Sequence, residues 1–292
     1  MNTDVTVAAP ELSDDAERDL GHAAERLFRE TERRFSRFLP DSELARLNRA
    51  DRPITVSDEL FELLIRARAH AAGTGGIFDP AVGAAMDASG YDRSFAPRRL
   101  DRDDAPTPTR PASIAMLDLD EARHQVARPP HVQLDLGGFL KGLTADRAAA
   151  LAPGAAVVDA GGDAVLRGAP PGDDGWTVDI EDPADPARTL GTLIVRDQAV
   201  ATSAGNRRRW RRGTRSMHHL IDPRTREPAR TDVVQATVVA PTAELADVMA
   251  KVPFVLGAAA GARELGRRGL RAVLVLRDGT IRTVGALELH HA

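Results

Sequence analysis

Leu134-Asp135-Leu136-Gly137-Gly138-Phe139-Leu140-Lys141-Gly142-Leu143-Thr144-Ala145-Asp146 reads as the end of a buried strand, a Gly-Gly turn and a helix continuing through Arg147-Ala148-Ala149-Ala150-Leu151. Glycines at such a junction let the backbone approach a ligand closely, and the helix start offers unpaired N–H groups and a partial positive charge to an anion. Lys141 lies near the first turn, where its ammonium would meet a phosphate. A tight turn followed by a solvated lysine is the other reading of the same residues.

Helical patterns dominate the chain before this stretch. Asp4 to Ala8 alternate like a short strand, and Ser13-Asp14-Asp15 then opens a helix with acidic residues at its positive end. Leu20, Ala24, Leu27, Phe28, Thr31, Phe35 and Phe38 recur at helical spacing and predict one buried face. Asp41-Ser42-Glu43-Leu44 starts a capped helical turn reaching Asn48. Ser57-Asp58-Glu59 caps a further helix, with Leu60, Phe61, Leu64 and Ile65 expected inward and Gly73, Gly75 and Gly76 ending it. Gly76-Ile77-Phe78-Asp79-Pro80-Ala81-Val82-Gly83 is a compact turn bearing an aromatic and a carboxylate. Residues 94–113, rich in Pro, Arg and Asp, predict a flexible loop, and a strand is expected through Ile114, Leu117 and Leu119.

Strand patterns dominate after it. Ala156–Ala160, Trp176–Ile180, Leu190–Val195, Gln198–Ser203 and Val233–Ala240 alternate or run apolar, a helix follows Pro241-Thr242 to Leu256, and Asp278-Gly279 marks a final hairpin. Helices grouped early and strands late predict an α+β fold, with mainly antiparallel sheets and packed helices, rather than a doubly wound parallel sheet. The 292 residues are expected to form a single domain. A net charge of −4 gives no general attraction to nucleic acid or anionic membrane, and the absence of cysteine excludes disulfides and thiolate metal sites. No apolar run is long enough to span a membrane. The start Met1-Asn2-Thr3-Asp4 is too polar for an export signal, so a cytoplasmic location is expected of the chain as written.

Four further clusters carry reactive side chains. In Met217-His218-His219-Leu220-Ile221-Asp222, adjacent histidines on a strand point to opposite faces, so a base beside a carboxylate is more plausible than two ligands on one metal. Asp247 and Lys251 lie four residues apart and form an ion pair on one helical face. Ala201-Thr202-Ser203-Ala204-Gly205 sets hydroxyls and small residues at a strand end. Arg207-Arg208-Arg209-Trp210-Arg211-Arg212 is best explained as a solvated edge or hairpin tip, since one basic run in an acidic protein is weak evidence for nucleic-acid binding.

Taken in order, these segments resemble the FAD:protein FMN transferase (ApbE) family. Asp41-Ser42-Glu43-Leu44 to Asn48 is similar to its DSE-x-x-x-x-N element, Phe78-Asp79-Pro80 to its FDPT, and Asp135-Leu136-Gly137-Gly138 to Lys141-Gly142 to its DLGGIAKG. Gly161-Gly162-Asp163, Ala201-Thr202-Ser203 and His219-Leu220-Ile221-Asp222-Pro223-Arg224-Thr225 are similar to GGD, ATSG and HIIDPRTG. Ala246-Asp247 with Val255-Leu256-Gly257 resembles the closing AD-x-x-x-T helix and VLG, and Met1-Asn2-Thr3 the opening MGT.

The resemblance implies transfer of the FMN half of FAD to a threonine or serine hydroxyl of a target flavoprotein, with release of AMP. It implies a Mg²⁺ on the diphosphate, held by the Gly138 carbonyl and the Asp247 carboxylate, and His219 as the group that removes the acceptor proton. It also implies FAD contacts from Met1, Phe38 (where the family has a stacking Tyr), Ile77, Phe78, Asp79, Asp135, Lys141, Thr202, Ser203 and Ile221. This chain departs from the pattern at Lys251, where the family has a Thr ligand, and at Asn2, Ala204 and Arg226, each replacing a glycine. An ammonium has no lone pair and cannot ligate a metal. The departures leave as alternatives an FAD-binding relative with weak or no transfer, or a pyrophosphatase giving FMN and AMP.

Overall fold

A computed structural model of the chain describes residues 3–95, 104 and 109–290. In chain order the elements are β1 (Val5–Ala8), α1 (Asp14–Phe35), α2 (Glu43–Arg49), β2 (Ile54–Thr55), α3 (Asp58–Gly73) and α4 (Gly83–Ala88). A 3₁₀ turn (Ile114–Met116), β3 (Asp118–Asp120), β4 (Gln125–Ala127) and α5 (Leu140–Ala149) follow. The strand-rich part holds β5 (Ala156–Ala160), β6 (Asp163–Arg167), β7 (Trp176–Glu181), β8 (Thr189–Val195), β9 (Gln198–Ala204), β10 (Arg209–Arg212), β11 (Arg215–His218), β12 (Ile221–Asp222) and β13 (Glu227–Pro228). It closes with β14 (Val233–Ala240), α6 (Ala243–Leu256), α7 (Ala258–Arg267), β15 (Arg271–Leu276) and β16 (Ile281–Val284). The α+β expectation holds. The described residues separate into two compact units, one within 30–138 and 207–230 and the other within 3–29, 139–206 and 231–290.

The second of these units is built on a seven-stranded sheet of order β1-β5-β6-β9-β14-β15-β16, with every pair antiparallel. α6 packs on β9 and β14, and α5 packs on α6, β5 and β6. The β7–β8 hairpin brings Ile180, Leu193 and Val195 onto Leu166, Val200, Val239 and Val273 of the sheet. β14 is therefore buried on both faces, as a strand covered twice must be, with Gln235 and Thr237 as its buried polar side chains. Thr242 caps α6 by accepting from the Leu245 amide at 3.2 Å, and Gly257, at φ +81°, separates α6 from α7. α7 was not anticipated from the sequence.

The junction of α5 and α6 is unusually close. A Cβ on Gly142 would lie 2.3 Å from the Ala243 carbonyl oxygen and 2.8 Å from the Glu244 nitrogen, so only glycine admits the α6 start at this distance. One turn on, Asp146 accepts the Ala243 amide on Oδ1 at 2.8 Å and the Glu244 amide on Oδ2 at 2.9 Å. Its carboxylate thus caps the positive end of α6. The second half of the opening motif therefore sets the position of α6.

The other unit carries α2, α3 and α4, the small sheet β2-β4-β3 and the two-stranded ladders β10–β11 and β12–β13. Ser42 and Ser57 cap α2 and α3 as expected, accepting from the Ala45 amide at 3.0 Å and the Leu60 amide at 3.2 Å. Several local expectations fail here. Ile65 is 45% exposed, because α3 turns only the side of Leu60, Phe61 and Leu64 inward. Ile114 and Leu117 stand outside any strand, since the 3₁₀ turn intervenes and β3 holds only Leu119 of the three. Leu134–Leu136 joins no ladder. Asn48 holds one edge of it, donating to the Leu134 carbonyl at 2.9 Å and accepting the Leu134 amide at 2.8 Å, and on the other the Asp135 amide donates to Pro80 O at 2.8 Å. Of the expected loop, residues 96–103 and 105–108 lie outside the described residues.

Gly142 and Gly21 allow a matched test. Gly142→Ala should destabilise by about 1–3 kcal/mol, because backbone rather than a movable side chain blocks the new methyl. Gly21, inside α1 with nothing within 4 Å of a built Cβ, is the control. Gly21→Ala should stabilise by about 0.5–1 kcal/mol through helix propensity. Urea midpoints of the two variants should move in opposite directions. Equal shifts would contradict the close α5–α6 contact.

Candidate functional site

In the unit built on the seven-stranded sheet, four charged side chains gather beside the start of α5. Lys141 donates to the Ala160 carbonyl at 2.8 Å and pairs with Asp163 Oδ2 at 2.5 Å. On α6, Lys251 Nζ donates to the Asp247 backbone oxygen at 2.7 Å and to Asp247 Oδ1. Asp163 and Asp247 are buried, with side chains 2% and 7% exposed. Burial, and next the charge of Asp247, push the Asp163 carboxyl up to about 7, and Lys141 and Lys251 offset only part of this. The first turn of α5 has no side-chain cap, with Phe139 at the N-cap, which suits an anion at that end.

Asp163 was quoted within its motif but not expected as a site residue. The signal was the turn before it. Gly161 and Gly162 take φ +61° and +94°, and a Cβ on Gly161 would strike Thr3 Oγ1 at 1.9 Å. These glycines let β5 reverse into β6 and set Asp163 beneath Lys141. Thr202 and Ser203 follow one another on β9 and so face opposite sides. Thr202 shares the side of Val200 and the β7–β8 hairpin, where its hydroxyl lies 2.9 Å from that of Thr237. Ser203, buried, faces the side bearing Asp163, whose register partner is Ala201. Ala204 ends β9 opposite Gln235 without strain, so replacing that glycine costs nothing visible.

The other unit holds the remaining expected residues. Its centre is Arg37, 7% exposed, which pairs through Nε with Asp135 Oδ2 at 2.6 Å and through Nη1 with Asp87 Oδ1 at 2.5 Å. Burial opposes its charge, but the two carboxylates outweigh burial and hold its pKa above the usual value. The guanidinium lies 4.1 Å over the Phe38 ring, and Phe38 meets Tyr91 edge-on at 5.3 Å. Tyr91 stacks on Trp210 at 5.4 Å, and Met217 and Ile221 complete this apolar cluster. Phe38 and Ile221 are thus brought together, while Arg37, Tyr91 and Trp210 were not anticipated. Trp210 and Arg212 are buried, so the basic run is a hairpin with one inward side rather than a wholly solvated tip.

Other carboxylates in this unit do structural work. Asp79 accepts the Ala81 amide at 2.8 Å and the Ile114 amide at 3.0 Å, closing the Ile77–Asp79 turn, in which Phe78 is buried and Ile77 half-buried. Asp135 Oδ1 accepts the Gly137 amide at 2.7 Å, so the Gly137-Gly138 turn is an Asx turn. His219 is half-buried just past β11, and its neighbour His218 bonds Ala229 O at 2.9 Å through Nε2. Arg226 adopts φ +64°, the conformation natural to the glycine it replaces, and donates through Nη1 to Ala81 O at 2.7 Å. Met1 lies outside the described residues.

The residues at Asp247 do not fit a divalent cation. Among the described residues no three His, Cys, Asp or Glu side chains are grouped to hold one. Asp247 Oδ2 is buried without a hydrogen-bond partner, but Oδ1 is taken by a fixed ammonium where an oxygen ligand is needed. At roughly 4 Å and an effective dielectric of about 20, a unit-charge pair interacts by ~4 kcal/mol, and a divalent ion beside Lys251 doubles that repulsion.

The raised Asp163 carboxyl has a consequence for stability. Between about pH 4 and 7 the folded protein keeps a proton that the unfolded chain has lost, so this group's contribution to stability falls as pH rises through that window. Asp163→Asn removes the titration. The stability of Asp163→Asn relative to wild type should therefore improve from pH 4.5 to 7.5, read as urea midpoints. A constant difference across that range would show that Asp163 ionises normally.

Comparison with known proteins accords with this arrangement. A profile described as the ApbE family matches residues 1–284. The FAD:protein FMN transferase of Treponema pallidum is 35% identical over 241 residues, covering 74% of this chain and 66% of that protein. That of Rhodobacter capsulatus is 33% identical over 264 residues, covering 87% of this chain but only 50% of that protein. The chain thus spans between half and just under two thirds of these relatives. The solved ApbE protein of Thermotoga maritima superposes with a TM-score of 0.84 at 25% identity, over 97% of this chain and 94% of that one. The flavin transferase ApbE of Vibrio cholerae shares the fold with a TM-score of 0.79 at 22% identity, over 99% and 94%. With its motifs in order, its profile match nearly end to end and its fold in common, this chain belongs to the ApbE family.

Proposed function

We propose that this chain binds FAD and transfers the FMN half to a threonine or serine hydroxyl of a target flavoprotein, releasing AMP. One observation carries the reading. The uncapped start of α5 bears Lys141, whose ammonium is held by the buried Asp163 and the Ala160 carbonyl, a fixed cation suited to a diphosphate. The relatives named as FAD:protein FMN transferases support the choice of ligand.

The chemistry is a phosphoryl transfer. The acceptor hydroxyl oxygen forms a bond to the FMN phosphorus, the bond from that phosphorus to the bridging oxygen breaks, and AMP leaves with the electron pair. His219 takes the hydroxyl proton. Lys141 offsets the charge that develops on the phosphate oxygens. We assign the half-buried Phe38 and Ile77 to apolar contact with a ring of FAD, and Ser203, on the Asp163 side of the sheet, to a polar contact, while Thr202 faces the β7–β8 hairpin instead. By resemblance Gly138 and Asp247 answer to the family's cation ligands, and Lys251 replaces the further Thr ligand.

Two variants separate binding from transfer. Lys141→Ala should weaken FAD binding about tenfold or more, measured by flavin fluorescence, because it removes a charged hydrogen-bond donor. His219→Ala should bind FAD normally but lower transfer to a threonine-bearing acceptor peptide about 10²–10⁴-fold, the usual worth of a general base, read as flavin-labelled peptide and released AMP. Unchanged FAD affinity in Lys141→Ala would remove that lysine from the site. AMP and FMN formed without labelled peptide would indicate hydrolysis instead.

A further inference from the structure

We propose that the Lys251 ammonium, tethered on Asp247, takes the place of a divalent cation, so that this chain binds a diphosphate ligand without one. The inference rests on the FAD reading above and deepens it. α6 presents Asp247 to a cation four residues on, not to an oxygen donor. An ammonium has three N–H donors. Lys251 directs two at the backbone oxygen and Oδ1 of Asp247, which leaves one for a ligand.

Lys141 is likewise paired with a carboxylate. It donates to Ala160 O at 2.8 Å, and its charge lies 2.5 Å from Asp163 Oδ2, an ion pair without a hydrogen bond to that oxygen. Both lysines keep an accessible part, with side chains 18% and 20% exposed, while the carboxylates holding them are almost fully buried. Moving the Lys251 ammonium away would leave the buried Asp247 carboxylate without its partner, which is strongly unfavourable. Asp163 feels the charge of Lys141, Lys251 and Asp247 together, so all four groups share one locale. The outcome is two fixed cationic donors whose spare N–H groups can meet phosphate oxygens. A metal at Asp247 would have to evict Lys251 or sit beside its charge.

The test measures FAD affinity by flavin fluorescence in excess EDTA and in millimolar MgCl₂, together with Mn²⁺ uptake by electron paramagnetic resonance. Wild type should bind FAD equally in both conditions and take up no stoichiometric Mn²⁺. Lys251→Thr, which supplies a hydroxyl, should bind FAD about tenfold or more weakly in EDTA, recover with Mg²⁺, and take up one Mn²⁺. Lys251→Met, which supplies neither charge nor ligand, should be weakened in both conditions, with thermal melting reporting that each variant is folded. Stoichiometric Mn²⁺ uptake by wild type, or FAD binding that needs Mg²⁺, overturns the inference while leaving the FAD reading intact. Failure of wild type to bind FAD in either condition overturns both.

Discussion

The close approach of α5 to the start of α6 is the constraint on which the charged site depends. Gly142 removes the one side chain that would hold the two helices apart, and Asp146 grips the first amides of α6. The two residues are four apart, so they lie on one face of α5 and act on the same turn of α6. Lys141 is carried by the same helix start, and Asp247 and Lys251 lie along α6 beyond the gripped turn. A helix start that slid by a fraction of an ångström would move both carriers of charge. Residues that look like part of a binding motif therefore act mainly by fixing register.

Three sets of buried charges in this protein are held as ion pairs: Arg37 with Asp87 and Asp135, Lys141 with Asp163, and Lys251 with Asp247. Isolated, any of these groups would be too costly to desolvate. Paired, they are rigid, because moving one partner leaves the other buried and alone. Such rigidity suits a site that must present cations to a polyanion without reorganising. Asp163 shows the limit of pairing, since full burial and a second carboxylate keep it nearly half neutral near pH 7 despite Lys141.

Aromatic packing gives the other unit a comparable rigidity by different means. Trp210 donates its indole N–H to Ser89 O at 2.7 Å and stacks on Tyr91, and Arg37 covers Phe38. The rings supply apolar contact, and each polar edge finds a backbone or guanidinium partner. Phe38 lacks a hydroxyl, so its ring offers apolar contact and a π face but no hydrogen bond.

Local signals in the sequence were sufficient for much of the fold. Ser42, Ser57 and Thr242 announce their helices because a cap acts within one turn, and the β-branched residues of Val233–Ala240 announce a strand because they pack well on a pleated surface. The order of the motifs was legible for the same reason, as was the misfit of Lys251, since an ammonium lacks a lone pair in any fold. What the sequence could not determine was which partner each charged group would find. Lys141 meets Asp163 and Arg37 meets Asp135 across 22 and 98 residues of chain, through a β5–β6 reversal in one case and the side-chain-held Leu134–Leu136 segment in the other. Ile65 points outward and Leu134–Leu136 joins no sheet for a like reason. Apolar pattern states that a residue can be buried or extended, and only the packing of distant segments decides which face is covered and which polar group satisfies the backbone.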